Sequence, residues 1–491
     1  MPGVTEMAPP DHGRSPRSGW LVEDVPRSLV VEVVGALPDS LVDLTHDSRQ
    51  VLPNWAFACV PGEQHDGHDF AGQAVEAGAS LLLVERRLPA GVVGDTAQLV
   101  VTDVRRAMGF AAASVHGHPA SSLTIVGVTG TNGKTTTTRF IGSILRAAGR
   151  SAREVGTLSG VRTTPEAPDL QRRLAGFVRD GVDTVVMEVS SHALALHRVA
   201  GTRFGVAVFT NLGRDHLDLH ESMEAYFRAK ASLFMPDLSD IGVTNLDDPY
   251  GRLLLDVAAI EMIGYSADDV DDLAVGIDHH AFVWRGQPVR VPIGGDFNVA
   301  NSLAALNVSA VLGIEAATAA EGLASVEPVP GRFEVVSEPT ADAVVVVDYA
   351  HTPEGLEHVL RSVRALATGR VIAVFGCGGD RDADKRPLMG AAAANHADLV
   401  VVTSDNPRRE DPQAIVDAVV DGIDERHRDH VTIELDRRRA IEWAIGAARP
   451  GDVVVIAGKG HETTQTIGAQ VLAFDDREVA RDVLRSRGDD T

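Results

Sequence analysis

Short apolar runs broken by polar turns organise this chain, and in its last third one pattern occurs four times. The four segments are "AVVVVDYAHTP", "VIAVFGCGGDRD", "DLVVVTSDNPRR" and "DVVVIAGKGHE". Each contains a run rich in β-branched residues, which predicts a strand buried on both faces of a parallel sheet. Helix-length stretches such as "EGLEHVLRSVRALA" lie between them. Ligands bind beyond the carboxyl ends of strands in open α/β sheets, so the polar residues behind all four runs predict a site.

One of these polar clusters, "TSDNPRREDP", places Arg408 and Arg409 on a turn. The Asn-Pro pair ends the strand and sets the turn, because proline fixes φ and has no N–H donor. This explains the bend but not the arginines. A solvated charged turn and a part of the predicted site both remain open at this point.

The rest of the chain divides into two segments that differ in their pattern of apolar and polar residues. Residues 21–120 alternate short helix-like and strand-like pieces such as "AVEAGASLLLVE", which predicts a small α/β domain, and "HGHPA" is typical of a linker. Residues 121–333 begin near "LTIVGVTG" and end with "VPGRF", and residues 334–491 carry the fourfold pattern. Residues 1–20 are rich in Pro, Gly and charge, which predicts a disordered tail.

Composition narrows the function classes. At roughly 100–200 residues per domain, 491 residues suggest about three domains. The net charge of -24 and the aromatic share of 4% disfavour binding to nucleic acid and to anionic membranes. No apolar run reaches the ~18 residues of a membrane span, and the N-terminus lacks the apolar core of a signal peptide. The two cysteines, Cys59 and Cys377, are too few for a disulfide framework or zinc cluster, which fits a reducing cytoplasm.

The segment "LTIVGVTGTNGKTTTTRFIGSILRAAG" has the features of a phosphate-binding loop between a strand and a helix. Helical spacing predicts that the helix buries Ile141, Ile144, Leu145 and Ala148 and ends at Gly149. Glycines let the loop wrap phosphate oxygens, and the helix N-terminus adds partial positive charge. In such a loop Lys134 reaches the β and γ oxygens and Thr135 can bind Mg²⁺.

The loop departs from the strict Walker A spacing, because the first glycine of that motif would stand at Val128 and the chain has Gly127 instead. The alternative is a glycine-rich turn with an incidental lysine. The strand–loop–helix context favours a phosphate loop.

Oxygen ligands for a nucleotide-bound Mg²⁺ are expected at neighbouring strand ends. Glu188 ends the run in "DTVVMEVSSHAL", and Asn211, Asp215 and His216 follow the run in "VAVFTNLGRDHLDLH". Glu188 could instead cap the following helix. Lys230, in "AYFRAKASLF", is by default a solvated helical lysine.

Nine segments together resemble the Mur ligase family, and within it the ligases that add the third residue of the peptidoglycan stem peptide. They are "GVTGTNGKTTTT", "MEVSSHALALHRV", "FTNLGRDHLDLH", "GDFNVANSLAA", "VPGRFE", "DYAHTP", "GCGGDRDADKRPLMG", "DNPRRE" and "GKGHETTQ". The resemblance covers about residues 21–490, in order. It implies an α/β fold with three domains: a uridine-nucleotide domain (21–120), a central P-loop ATPase domain (121–333) and a C-terminal Rossmann-like domain for the amino acid (334–491).

The resemblance also implies the reaction. An ATP-dependent amide ligase would add meso-diaminopimelate to UDP-N-acetylmuramoyl-L-alanyl-D-glutamate through an acyl phosphate, in cytoplasmic peptidoglycan synthesis, as a monomer. Carboxylate and amine do not condense at neutral pH without an activated leaving group, so the protein would position the reactants and neutralise charge.

Site residues follow from the matching motifs, and each role here is what the resemblance implies. The ATP set is Gly130, Thr131, Asn132, Gly133, Lys134, Thr135 and Thr136 for the phosphates, with Asn298, Asn301, Arg332 and Asp348 for adenine and ribose. Thr135 and Glu188 would serve Mg²⁺, and His216 a second ion. Lys230 matches a lysine that CO₂ converts to a metal-binding carbamate, and with Lys134 and His216 it completes the catalytic set.

The substrate residues are assigned in the same way. The uridine set is His46, Ser48, Gln64, His65, Thr163, Thr164, Ser190 and Arg198. The amino-acid set is Arg381, Asp405, Asn406, Pro407, Arg408, Gly458 and Glu462. Arginine grips a carboxylate bidentately, and a glutamate accepts from an ammonium. Lysine lacks the distal carboxylate of diaminopimelate, so Arg408 would be left unpaired opposite lysine and is a physical reason to prefer diaminopimelate.

Two departures from the family pattern lie on the sugar-nucleotide side. Leu196 stands where a polar Gln or Glu is usual, and residues 156–165 form a short segment with Arg162 where Asn often stands. These departures leave open the alternative of a Mur-like amide ligase that uses an altered acceptor or another amino acid such as lysine. A catalytically silent nucleotide-binding regulator is a further alternative, which the intact Lys134, Glu188, His216 and Lys230 disfavour.

Overall fold

The computed structural model describes residues 22–62, 64–160, 162–215, 217–338 and 343–488. The predicted tail at residues 1–20 and the predicted metal ligand His216 lie outside these ranges. Within them no helix is long and apolar enough to cross a membrane.

The first part of the chain forms a five-stranded sheet with mostly parallel strands. Its strands are β1 (Val30–Val34), β2 (Asp43–Thr45), β3 (Trp55–Ala58), β4 (Ala79–Val84) and β5 (Ala97–Val101), in the order β1-β5-β4-β3-β2. Only β1 and β5 pair antiparallel. The helices are α1 (Ala71–Glu76), α2 (Ala90–Val93) and α3 (Val104–Val115). Apolar side chains cover both faces of the sheet, as expected of a small α/β unit.

The central part contains a six-stranded, fully parallel sheet. Its strands are β6 (Thr124–Thr129), β7 (Ala152–Val155), β8 (Thr184–Glu188), β9 (Phe204–Phe209), β10 (Ser239–Asn245) and β11 (Glu261–Tyr265), in the order β11-β10-β9-β6-β8-β7. The helices are α4 (Lys134–Ala147), α5 (Ala167–Arg179), α6 (Ser191–Ala195), α7 (Leu217–His220), α8 (Met223–Ala231), α9 (Pro249–Val257), α10 (Phe297–Val311) and α11 (Ala316–Ala324). Because β6, β8 and β9 are neighbours, the segments that follow their carboxyl ends meet at one edge.

A second, smaller sheet in this part was not predicted. It consists of β12 (Asp271–Val275), β13 (His280–Trp284) and β14 (Gln287–Val291), paired antiparallel. The buried ring of His280 joins it to α10, with Nε2 2.9 Å from Ser302 Oγ and Nδ1 2.6 Å from the carbonyl oxygen of Ile293. Burial lowers the pKa of His280 to about 4, so the ring is neutral near pH 7.

The helix after the phosphate loop has the predicted register. It starts behind Gly133, whose φ of 84° suits glycine, and Ile141, Ile144 and Leu145 are buried in the core. Ala148 caps the helix at its carboxyl end, and Gly149 follows with a φ of 72°. The predicted helix and its end at Gly149 are confirmed, but Ala148 is only partly buried because it stands at the helix end.

The C-terminal part confirms the fourfold strand pattern. The sheet contains β15 (Glu334–Val335), β16 (Val344–Asp348), β17 (Val371–Phe375), β18 (Leu399–Val402), β19 (Val431–Ile433) and β20 (Val453–Ala457), in the order β15-β16-β20-β17-β18-β19. The four repeated runs are β16, β17, β18 and β20. They lie next to one another in the sheet as β16-β20-β17-β18, and all four are parallel. Val346 packs on one face and its neighbours Val345 and Val347 on the other. The carboxyl ends of these four parallel strands therefore share one edge of the sheet.

Five helices and a hairpin complete this part. The helices are α12 (Pro353–Leu366), α13 (Lys385–His396), α14 (Pro412–Val420), α15 (Arg437–Ala447) and α16 (Asp476–Gly488), and the hairpin is β21 (Thr464–Ile467) with β22 (Gln470–Ala473).

Short 3₁₀ turns occur along the whole described chain, at Val22–Asp24, Ser48–Gln50, Gly67–Phe70, Pro119–Ser122, Ser232–Phe234, Ala267–Asp269 and Glu425–His430. The predicted boundary after residue 120 falls in one of these turns, and the boundary after 333 falls at the start of β15. Both boundaries remain predictions.

Candidate active site

The phosphate loop lies at the carboxyl end of β6, as predicted. The Lys134 ammonium donates to the carbonyl oxygens of Gly130 at 2.9 Å and Thr131 at 2.8 Å. The loop is fixed from the next strand, because the Asn132 N–H donates to Asn211 Oδ1 at 2.9 Å. Gly130 has a φ of 151°, and a Cβ there would overlap the Thr210 hydroxyl, so the tight loop requires glycine.

Glu188 faces this loop from the neighbouring strand. Its carboxylate accepts from Thr135 Oγ1 at 3.0 Å, from the Thr157 N–H at 2.9 Å and from Thr157 Oγ1 at 3.2 Å. The following helix is capped by Ser190, whose Oγ accepts from the Ala193 N–H. The helix-cap alternative for Glu188 is therefore wrong, and a carboxylate stands beside the threonine hydroxyl of the phosphate loop.

Lys230 reaches the same loop from α8. Its side chain is 1% exposed, and Nζ donates to the Gly130 carbonyl at 2.7 Å while lying 4.6 Å from the centre of the Tyr226 ring. Burial lowers the pKa of Lys230 well below its usual value, and the nearby charge of Lys134 lowers it further. The default interpretation as a solvated lysine is wrong. The side-chain nitrogens of Lys134 and Lys230 both contact the Gly130 carbonyl. Repulsion between two positive charges at this distance favours the neutral form of Lys230.

The phosphate loop and Glu188 border a cavity of about 260 Å³ that continues onto the C-terminal sheet, and Lys230 is not among the lining residues. Nine predicted ATP residues line it: Thr131, Asn132, Gly133, Lys134, Thr135, Thr136, Asn301, Arg332 and Asp348. Glu188, Thr163 and Ser190 line it as well. Gly130 and Asn298 lie behind the lining. The Asn298 amide donates to the Gly294 carbonyl at 2.7 Å and accepts from Asn301 at 2.9 Å, which holds Asn301 in place.

The far wall of the cavity comes from the segments before and after β16. The Arg332 guanidinium stacks 4.3 Å from the centre of the Tyr349 ring, and its Nη2 lies 3.4 Å from Thr135 Oγ1. Both carboxylate oxygens of Asp348 accept backbone N–H groups at 2.7 Å, from Phe333 and Ala350. Burial raises the pKa of Asp348, and the charge of Arg332 opposes that rise.

Sequence reasoning missed several cavity residues. Tyr349 and His351 follow Asp348 in "DYAHTP", and Thr157 donates to Glu188 from a turn. The strand-end rule could have found Tyr349 and His351, because they stand at the carboxyl end of β16 like Asp348. Nothing local in the sequence marks Thr157.

A second cavity, of about 370 Å³, lies where the first sheet meets the central part. The residues that line it include His46, Arg162, Glu166 and Arg173. Of the predicted uridine set, only His46 is among them. Ser48 is bound to the Gln73 side chain at 3.1 Å, and Gln64 and His65 are exposed on a neighbouring loop.

The other predicted uridine residues connect the two cavities. Thr163 and Ser190 line the first cavity, and the buried Thr164 hydroxyl donates to the Glu188 carbonyl at 2.9 Å. Arg198 forms an ion pair with Glu166 at 2.9 Å, and Arg162 contacts the same carboxylate oxygen. Burial lowers the pKa of Arg198, and the Glu166 charge opposes this. Residues 162–166 thus run from one cavity to the other.

The predicted amino-acid residues gather at the carboxyl edge of the C-terminal sheet. Asn406 donates to Asp405 Oδ1 and to Glu462 Oε2, both at 2.9 Å, and the fully buried Lys459 ammonium lies 3.2 Å from the same Glu462 oxygen. Burial raises the pKa of Asp405, and Arg437 opposes this most strongly. A Cβ at Gly458 would lie only 2.9 Å from Asp405 Oδ2.

Arg408, on the turn that Asn406 and Pro407 form, is held from both sides. Its N–H donates to the Thr466 carbonyl at 3.0 Å, its φ is 52°, and Nη1 donates to the Gly379 carbonyl at 2.6 Å. Arg381 approaches the same glycine-rich segment and is exposed. Arg409 is 84% exposed and pairs with Asp380 at 3.0 Å, so for this arginine the alternative of a solvated charged turn is confirmed.

The edge of the C-terminal sheet that carries the predicted amino-acid residues, called the amino-acid edge below, touches the first cavity through two glycines. A Cβ on Gly331 would overlap the backbone of Gly460, and both residues have positive φ, at 62° and 51°. Gly331 precedes Arg332, and Gly460 lies two residues before Glu462. Close backbone packing therefore links the predicted ATP and amino-acid residues.

Comparison with known proteins agrees with this geometry. Residues 42–116 match the Mur ligase family catalytic domain, residues 128–309 the Mur ligase middle domain, and residues 331–460 the Mur ligase glutamate ligase domain. A protein of Syntrophomonas wolfei named UDP-N-acetylmuramoyl-L-alanyl-D-glutamate–2,6-diaminopimelate ligase is 44% identical over 483 residues, covering 94% of this chain and 98% of that protein. A Streptomyces coelicolor protein of the same name is 43% identical over 481 residues, covering 92% of this chain and 94% of that protein.

A solved structure with this name has a TM-score of 0.65 at 34% identity and covers 92% of this chain and 96% of its own. The chain belongs to the Mur ligase family, whose members are ATP-dependent ligases. The predicted fold class, family and enzyme class are confirmed.

Proposed function

We propose that this chain joins meso-diaminopimelate to UDP-N-acetylmuramoyl-L-alanyl-D-glutamate, with ATP activating the glutamate carboxylate as an acyl phosphate. The relatives named above carry this activity in their names. One observation in the structure carries the proposal. The phosphate loop and Glu188 face Arg332 and Asp348 across one cavity, and the buried Lys230 contacts the loop at the Gly130 carbonyl. This cavity adjoins the amino-acid edge of the C-terminal sheet through Gly331 and Gly460.

The three-domain assignment is part of the proposal. Residues 21–120 would hold the uridine nucleotide, 121–333 ATP, and 334–491 the amino acid. A monomer suffices for this arrangement, because the described residues of one chain supply the predicted groups of all three sites except His216. The acceptor would lie along residues 162–166, from the cavity of His46 and Arg162 to the cavity that Thr163 lines.

The residues at the phosphate loop fit Mg²⁺. Thr135 Oγ1 and the Glu188 carboxylate lie 3.0 Å apart, and both are hard oxygen donors. Within the described ranges no three His, Cys, Asp or Glu side chains form a metal cluster. When bound, Mg²⁺ supplies charge neutralisation at the transferring phosphoryl group. His216, predicted for a second ion, lies outside the described residues.

Lys230 fits carbamate formation by CO₂. A lysine amine attacks CO₂ only when neutral, and burial beside Lys134 favours that form. The product would be an anionic oxygen donor within reach of the phosphate loop, because Nζ lies 2.7 Å from the Gly130 carbonyl. The modification would turn a costly buried amine into a ligand for the nucleotide's metal.

The chain's own residues then divide the reaction between them. Lys134 and the loop N–H groups hold and polarise the transferring phosphate. Arg332 and Asp348 orient the nucleoside. Thr163, Ser190 and Arg198 orient the acceptor, so that its carboxylate meets the γ-phosphate. The carboxylate oxygen attacks the γ-phosphorus, and the bond to ADP breaks. The neutral amine then attacks the acyl carbon, the C–O bond to phosphate breaks, inorganic phosphate leaves with the bonding electron pair, and the nitrogen gives up one proton to water.

Amino-acid selection would rest on the C-terminal edge. Asp405 and Glu462 are carboxylates that accept from an ammonium, and Arg408 with Arg381 would bind the distal carboxylate of diaminopimelate. Lysine carries no such carboxylate and would leave Arg408 without its anionic partner. This favours diaminopimelate over the alternative with lysine.

Phosphate release tests the proposal. With ATP and UDP-N-acetylmuramoyl-L-alanyl-D-glutamate present, we expect release only after diaminopimelate is added. Comparable release with lysine would refute the specificity. A failure with this acceptor but turnover with a modified one would favour the altered acceptor that Leu196 and Arg162 suggest. Absence of ATP turnover with every substrate combination would favour the silent regulator.

A further inference from the structure

A fully buried ion pair lies behind the amino-acid edge. Arg437 is the first residue of α15 and Asp476 the first residue of α16, and both side chains are 0% exposed. Arg437 Nε donates to Asp476 Oδ1 and Nη2 donates to Oδ2, both at 2.7 Å. Removing two charges from water is costly unless they are paired and hydrogen-bonded. No step proposed above uses this pair.

The other donors of Arg437 reach two strand ends. Nη2 also donates to the Ala457 carbonyl at 2.8 Å, and Nη1 to the Ser404 carbonyl at 3.3 Å. Ala457 directly precedes Gly458, and Ser404 directly precedes Asp405. Strand β17 separates β18 from β20 in the sheet, so β18 and β20 share no ladder hydrogen bonds. One guanidinium therefore ties together the starts of two loops of the predicted amino-acid site.

Arg437 also sets the charge around Asp405. The carboxyl group of Asp405 is faced by Arg437 from α15, by Lys459 and Glu462 from the loop after β20, and by Asp476 from α16. Burial raises the pKa of Asp405. Arg437 and Lys459 lower it, and Glu462 and Asp476 raise it. The guanidinium thus favours the carboxylate form, which is the form that accepts from an ammonium.

We propose that Arg437 and Asp476 are positioning residues for the incoming amino acid. The pair fixes the spacing of the loops that begin at Asp405 and Gly458, and it makes that spacing depend on the docking of the last helix, α16. The inference rests on the proposed function, since it presumes that these loops bind the amino acid. Neither side chain touches the substrate.

The same sheet offers a matched control pair at its opposite edge. Arg370 Nη2 donates to Asp452 Oδ2 at 2.6 Å and to the Ala447 carbonyl at 2.8 Å. These residues directly precede β17 and β20, so the pair is chemically similar but lies at the far ends of the strands. Arg370→Lys therefore tests for general damage to the sheet.

The test compares Arg437→Lys, the double variant Arg437→Met with Asp476→Leu, and Arg370→Lys. Diaminopimelate is varied at saturating ATP and acceptor. The first two variants are expected to raise KM for diaminopimelate about tenfold, because the loops lose the shared donor. KM for ATP and for the acceptor should stay near the wild-type values. An apolar pair of similar volume often preserves stability, so an altered KM in the folded double variant reports positioning.

The pH profile separates charge from geometry. The double variant removes Arg437, which lowers the pKa of Asp405, and also Asp476, which raises it. Because Arg437 is the stronger influence, the pKa of Asp405 should still rise, and the acid limb of kcat/KM for diaminopimelate should move to higher pH. Arg437→Lys keeps a cation and should leave that limb near the wild-type position while still raising KM. The conservative variant thus rescues the pH profile but not the affinity.

An unchanged KM for diaminopimelate in folded Arg437→Lys and the folded double variant would overturn the inference, and so would an equal rise in Arg370→Lys. If the double variant does not fold, Arg437→Lys, which keeps a cation opposite Asp476, carries the KM comparison by itself. The wild-type reaction distinguishes the two proposals. No turnover with diaminopimelate contradicts the proposed function, whereas wild-type turnover with unaffected variants contradicts only the role of the pair.

Discussion

Replacing Arg408 with methionine should reduce the preference for diaminopimelate over lysine. The backbone of Arg408 is fixed by Thr466 and Gly468, through hydrogen bonds of 3.0 and 2.6 Å, and the side chain is half-buried against Gly379. Methionine is unbranched at Cβ like arginine, so the positive φ burdens both residues alike. The substitution therefore removes the guanidinium with little change in the turn.

The expected size of the effect follows from the hydrogen bond that methionine cannot donate to the distal carboxylate. A hydrogen bond to a charged group contributes about 1.5–3 kcal/mol, which corresponds to a fall of roughly 10- to 150-fold in kcat/KM for diaminopimelate. Lysine has no distal carboxylate, so its kcat/KM should stay the same or rise. The assay is phosphate release with each amino acid at saturating ATP and acceptor.

Arg409→Met is the matched control for this experiment. Arg409 adjoins Arg408 on the same turn but is 84% exposed and pairs with Asp380. Its loss should therefore leave kcat/KM unchanged for diaminopimelate and for lysine. An equal decrease for diaminopimelate and lysine in Arg408→Met would refute the reasoning. An equal effect of the two arginine variants would do so as well.

Three further predictions concern other parts of the molecule. Lys230→Ala should abolish ligation, with partial rescue by short carboxylates that replace the carbamate, and a fully active variant would show that the lysine does not serve the metal site. Gly156→Ala should raise the Mg²⁺ concentration needed for half-maximal rate, because a Cβ there would overlap the Glu188 carboxylate, whereas Gly446→Ala has open space and should not change it. Burial raises the pKa of both cysteine thiols to about 12, so a thiol reagent at pH 8 should react only after unfolding, and rapid native labelling would contradict their burial.

Strands and helices were predictable where a local pattern carried the information. The β-branched runs gave the four strands of the C-terminal sheet, and the spacing of Ile141, Ile144 and Leu145 gave the helix after the phosphate loop. The order in which the strands pair was not predictable, because it depends on contacts between distant segments. The three-stranded sheet of β12–β14 was missed because its strands are only partly buried and lack the continuous β-branched runs of the C-terminal sheet.

The burial of charged side chains was the feature hardest to predict from the sequence. Lys230 and Arg437 occupy helices whose local patterns are compatible with solvated faces, yet both are at most 1% exposed. Only tertiary packing reveals that Lys230 reaches the Gly130 carbonyl and that Arg437 joins two strand ends. Glu188 was selected correctly as a strand-end carboxylate, but its bond to Thr157 depends on a turn with no sequence signature.

The most direct test of the proposed function is a screen of amino acids for amide product and phosphate release, with ATP, Mg²⁺ and UDP-N-acetylmuramoyl-L-alanyl-D-glutamate present throughout. The arrangement of Lys134, Glu188, Lys230 and Arg408 predicts one phosphate released per amide bond formed, with meso-diaminopimelate far ahead of lysine. Equal turnover with lysine, or phosphate release without amide product, would contradict the account.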